Sequence, residues 1–154
     1  MPDWLRSTHS RTLDGLEAGI QAAVRAHLKL HNLGDILADY LACVETTSER
    51  IGKGILGRGG RIVVAVVVTP YWLIWAIRAS DPEVTVMSAR LADILVKDYE
   101  ATPFANRIPD QGVEISGTFT DVSEQGSAFI GLGSEPAAQV FRATLTAAVH
   151  AAKR

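Results

Sequence analysis

The sequence predicts an α+β fold: an N-terminal helical hairpin, then a seven-stranded antiparallel partial barrel, then a C-terminal helix that caps it. Three observations lead there. Residues Ile62 to Val68 and Trp72 to Ile77 form two apolar runs split by Thr69-Pro70-Tyr71. Residues 112–120 and 127–132 alternate apolar with polar, as half-buried strands do. Apolar residues recur at three- and four-residue spacing at both ends of the chain, the mark of amphipathic helices. The expected division is a helical extension over 1–50 and a β-barrel domain over 51–154.

The segment between Arg61 and Arg78 organises the rest. Its sixteen residues are apolar except Thr69. A membrane-spanning helix needs about 20 such residues, and Pro70 removes an amide donor and pushes Thr69 towards extended geometry. The valines are stiff at χ1 and favour strands. A tight hairpin follows. Neither strand alternates with polar residues, so both faces want cover. The N-terminal helices or a second subunit are the expected cover.

Taken in order, Thr12 is a helix-capping candidate, and Leu13, Leu16, Ile20, Val24 and Leu28 form a stripe. Gly34 marks a boundary. A second helix is expected from Asp35, with Ile36, Leu37, Tyr40, Leu41 and Val44 on one side. Ile51 to Leu56 reads as a first strand and Gly57-Arg58-Gly59-Gly60 as a turn. After the hairpin, Ser80-Asp81-Pro82-Glu83 is a turn and Val84 to Met87 a strand. Ile94-Leu95-Val96 suits a strand better than a helix, and residues 101–111, with Pro103 and Pro109, form a loop. Ser134 is the expected cap of the last helix, with Pro136 in its first turn. Val140, Phe141, Leu145, Ala148 and Val149 form its buried stripe.

With 154 residues the chain can bury a sizeable core. Its start, MPDWLRSTHSR, lacks the apolar stretch of a secretory signal, and Cys43 is its only cysteine. A reducing cytoplasm is therefore expected. The net charge of -2 excludes a nucleic-acid-binding composition. It hides a local excess, since residues 51–78 carry Lys53, Arg58, Arg61 and Arg78 and no acid.

The segments GKGILGRGGRIVVAVVVTPYWLIWAIR, VTVMSARLADILVKDYE, GVEISGTFTD, SAFIGLG and EPAAQVFRATLTAAV together resemble a pleckstrin-homology-type domain of the bacterial PH-like and GRAM-like kind, over about residues 51–152. The resemblance implies a β-meander ending in a capping helix, and a binding role rather than catalysis. It also implies anion or phospholipid-headgroup binding through basic residues of the first turn, where Lys53, Arg58 and Arg61 fall. The family's paired basic residues are separated by one position; here Gly59-Gly60 intervene between Arg58 and Arg61. As residues alone, these cations read as the solvated ends of strands.

Other groups carry weaker signals. His27 and His31 are spaced to share one helix face, as a metal pair would be, but without the glutamate of a zinc-protease motif. Cys43 reads as a buried thiol, and Trp72 and Trp75 as core. Asp93, Asp98 and Glu100 read as a solvated run. No catalytic constellation and no cofactor motif is evident. The expected function is a non-enzymatic interaction module, homo-oligomeric or binding a protein partner. The alternatives are binding of an anionic lipid or phosphate, or a small-ligand protein or enzyme with a cavity between helices and sheet.

Overall fold

A computed structural model describes residues 4–50, 60–80, 83–120 and 122–154. The α+β class holds, but the helical hairpin and the single seven-stranded barrel do not. The described residues form eight strands in two antiparallel sheets, with two α-helices. In chain order these are β1 (Trp4–Ser10), α1 (Ala18–Leu30), β2 (Ala42–Arg50), β3 (Arg61–Val68), β4 (Trp72–Ser80), β5 (Glu83–Arg90), β6 (Ile94–Asp98), β7 (Gly112–Thr118), β8 (Gln125–Gly131) and α2 (Pro136–Ala152). Strands β1 to β5 form one sheet in sequence order, and β6 to β8 form the other. The expected strand at 51–56 lies outside the described residues.

The valine-rich hairpin is β3 and β4, paired from Val63–Arg78 to Val68–Leu73. Pro70 falls in the turn, where Thr69 donates its N–H to the Trp72 carbonyl at 2.9 Å. The Thr69 hydroxyl accepts the Trp72 N–H, also at 2.9 Å. The absence of alternation now has its reason. Val64, Val66, Val68, Leu73 and Trp75 face one core, shared with the second sheet and α2. Val63, Ala65, Val67, Ile74 and Ala76 face another, under α1. Val66, Val68, Leu73 and Ile74 have no exposure at all. Each such side chain contributes about 1.5–3 kcal/mol of burial. The cover sought for this hairpin is supplied within the chain.

Helix α1 buries Ile20, Val24 and Leu28, with Leu16 just before it. Thr12 caps not α1 but a short 3-10 turn at Leu13–Gly15. The helix then closes in a Schellman arrangement. Asn32 takes φ 54°, Asn32 N–H bonds the Lys29 carbonyl, and Leu33 N–H bonds the Leu28 carbonyl at 2.9 Å. The chain reverses there. The expected second helix is absent because Val44, Thr46 and Thr47 are needed as strand β2 against β3. Tertiary pairing overrides a helical-looking stripe.

Strand β1, which the sequence reading missed, occupies the edge of the first sheet. Its inward positions are polar, yet paired. The Thr8 hydroxyl lies 2.8 Å from that of Thr46 and accepts the Gly133 N–H at 2.8 Å. The Arg6 guanidinium donates to both oxygens of Asp110, at 2.8 and 2.7 Å, and to the Ser48 hydroxyl. It also lies over the Trp4 and Phe129 rings.

Helix α2 begins after Glu135 rather than Ser134, with Pro136 in its first turn. Phe141, Leu145, Ala148 and Val149 are buried as expected, whereas Val140 is 65% exposed. Among the described residues no helix is long and apolar enough to cross a membrane.

Candidate functional site

Of the three cations singled out for anion binding, Lys53 and Arg58 lie outside the described residues. Arg61 is exposed at the start of β3, opposite Glu49 of β2. The acidic run is not simply solvated. Asp98 and Glu100 hold Arg142 of α2 at 2.7 and 3.0 Å, and Glu100 also accepts the Gly112 N–H. These residues fasten α2 to the second sheet.

Trp75 is core, edge-on to Phe119 at 5.3 Å. Trp72 packs against the cluster beneath α1. The His27 and His31 rings lie 4.5 Å apart, tilted by 58°, and His27 Nε2 lies 2.8 Å from the Ser88 hydroxyl. That hydroxyl donates to Thr120. No group of three or more His, Cys, Asp or Glu able to hold a metal occurs among the described residues.

Cys43 is buried, and that burial, reinforced by the Glu45 charge, pushes its thiol from 9.0 up to about 11. The folded state therefore holds the thiol proton more tightly than the unfolded chain. Its contribution to stability is complete below pH 9.0 and is lost as pH rises towards about 11. Iodoacetamide at pH 8 is expected to label Cys43 only as fast as the fold opens. Labelling of native protein at the rate of denatured protein would contradict its burial.

Ser7, His9 and Glu135 meet at the β1 edge. Ser7 Oγ lies 2.9 Å from His9 Nε2. The Glu135 carboxylate accepts the Thr8 N–H at 3.0 Å. That backbone bond chiefly, helped by the Ser7 hydroxyl and the nearby His9, lowers the Glu135 pKa. In a nucleophilic triad the carboxylate orients the imidazole. Here it accepts hydrogen bonds from the Ser7 hydroxyl and an edge amide, so the cluster secures the strand end.

A different site lies on the outer side of α1. Three depressions that share lining residues lie between α1 and the 32–40 segment. One, of about 410 Å3, opens beside Leu28, Lys29 and Asn32 at the end of the helix. A small apolar nook of about 10 Å3 lies over Leu13, Leu16 and Val24. A third, of about 320 Å3, opens beside Thr12, Asp14 and Tyr40. Arg25 and Leu37 line all three, and Asp35 lines the two wide ones. The helical spacing of Gln21, Val24, Arg25, Leu28 and Lys29 sets one wall. The reversal at Asn32 brings Asp35 and Leu37 back as the other, with Gly34 at φ 75° in the bend.

The floor is apolar and the rim charged. Arg25 and Asp35 are exposed, and neither side chain makes a hydrogen bond or ion pair with another described residue. By contrast Arg6, Arg11, Arg78 and Arg142 each pair with an acid. A further groove of about 430 Å3 lies beside Lys97, Phe104 and Glu114. Its Asp98 is committed to Arg142, and Lys97 and Glu114 are cross-strand partners. The sequence reading missed the α1 groove because its walls meet only through the turn at 31–34, read there as a plain helix boundary. No local signal marked it, because whether Arg25 is paired depends on its surroundings.

No protein-family model, no curated protein and no solved structure matches this chain.

Proposed function

We propose that the protein is an interaction module that holds a segment of a protein partner in the groove between α1 and residues 32–40. The observation that carries this reading is the pair of open depressions, of about 410 and 320 Å3, that share Arg25, Asp35 and Leu37 with a small apolar nook beside them. A long, shallow trough with an apolar floor and a charged rim suits a chain segment better than a small molecule, which favours an enclosed pocket. The rim carries both signs of charge, which disfavours anionic lipid or nucleic acid as the occupant of this site.

Panning a phage-displayed random peptide library against the protein tests the reading. Clones should be enriched on the wild type and at least tenfold less on Arg25→Glu, an exposed change expected to leave the unfolding curve unaltered. Equal enrichment on both proteins, or none on either, would remove the groove as a binding site.

A further inference from the structure

Arg25 and Asp35 stand on opposite walls of the groove without forming an ion pair. Resting on the interaction reading above, we propose that the occupant is an extended peptide whose main chain runs between these two residues. Its acidic side chain lies at the Lys29 end and its basic one at the Asp14 end.

The chemistry of the walls supports this. A guanidinium only donates hydrogen bonds and a carboxylate only accepts them. An extended main chain presents N–H groups and carbonyls towards both sides, as a strand does. Arg25 can therefore take peptide carbonyls from one side and Asp35 can take N–H groups from the other, whatever the sequence. Side chains of an extended segment alternate in direction, so every second one reaches the floor at Leu13, Leu28 and Leu37.

The ends of the groove differ in charge. Lys29 lines only the depression at the helix end, and Asp14 only the opposite one. Arg25 and Asp35 line both and offset one another. The groove is thus positive at one end and negative at the other, a pattern that selects charge order as well as composition. From Gln21 to Lys29 the helix rises about 12 Å, which about four extended residues span. The flanking depressions add one or two more.

Two end-capped, fluorescein-labelled hexapeptides of one composition test the idea, Lys-Val-Ala-Leu-Val-Glu, with its charges at opposite ends, and Val-Ala-Lys-Glu-Leu-Val, with them together in the middle. Binding to the full chain is read by fluorescence anisotropy at low ionic strength, where exposed charges are least screened. The peptide with separated charges should bind about tenfold tighter than the other, in whichever chain direction puts its acid at Lys29 and its base at Asp14. Lys29→Glu, which makes both ends negative, should abolish that preference, and Arg25→Ala should weaken both peptides. No saturable binding of either peptide, or a preference that Lys29→Glu leaves unchanged, would overturn the proposal. Equal affinity for both peptides, lost together in Arg25→Glu, would overturn the charge-order claim alone. The interaction reading would then stand on the panning result.

Discussion

Replacing Asp110 by alanine is expected to destabilise the protein by about 3–5 kcal/mol, the range for removing one partner of a buried ion pair. The Arg6 and Asp110 side chains are only 8% and 13% exposed. The guanidinium makes two bonds to the carboxylate and one to Ser48. Without Asp110, the cation is left between the Trp4 and Phe129 rings and the Ser48 hydroxyl, with no countercharge among its bonded partners. Urea unfolding would show the midpoint falling with little change in slope. Pairing the change with Arg6→Met should recover much of the loss, because it removes the orphaned charge while keeping an apolar chain between the rings. A loss below about 1 kcal/mol for Asp110→Ala would place the pair among solvent-screened surface bridges instead.

Gly117→Ala is the second change with a large expected effect. Gly117 sits in β7 at φ 142°, and a Cβ there would stand 2.1 Å from the Asp93 carbonyl oxygen and 2.9 Å from the Ile94 Cα. Both obstacles are backbone, so no side chain can swing aside. Backbone strain of about 1–3 kcal/mol and overpacking of about 1–3 kcal/mol act together. The second sheet should loosen from β6, where Gly117 pairs with Ile94. Gly19→Ala is the control, since a Cβ there meets nothing within 4 Å. In a helix that change should stabilise by about 0.5–1 kcal/mol. Circular-dichroism melts of both variants would separate the cases, and a Gly117→Ala melt like that of the wild type would refute the close approach.

The central hairpin was legible in the sequence because its signals agree. Valine-rich runs, a proline between them and continuous apolarity all point to a strand pair covered on both faces. Strands β7 and β8 were legible through their alternation. Strand β1 was not, because the inward positions Arg6 and Thr8 look like surface residues. Their partners, Asp110, Thr46 and Gly133, come from other parts of the chain. The expected second helix failed for the converse reason. The helical spacing through Leu37 and Leu41 is present in the sequence, but Leu41 is exposed and a long-range pairing with β3 won. The same blindness to distant partners hid the groove, whose walls are each ordinary alone. The three cations at 53, 58 and 61 drew attention through composition, whereas Arg25, unpaired among the described residues, became visible only once its surroundings were known.

Strand β1 also sets a schedule for biosynthesis. Arg6 waits for a partner 104 residues downstream, and the Thr8 amide for one 127 residues downstream. At about 5–20 residues per second of translation, that interval is on the order of ten seconds. During it the valine hairpin exists without α2, which roofs one of its sides and follows it in the chain. The nascent chain must pass through this window with an adhesive surface on display.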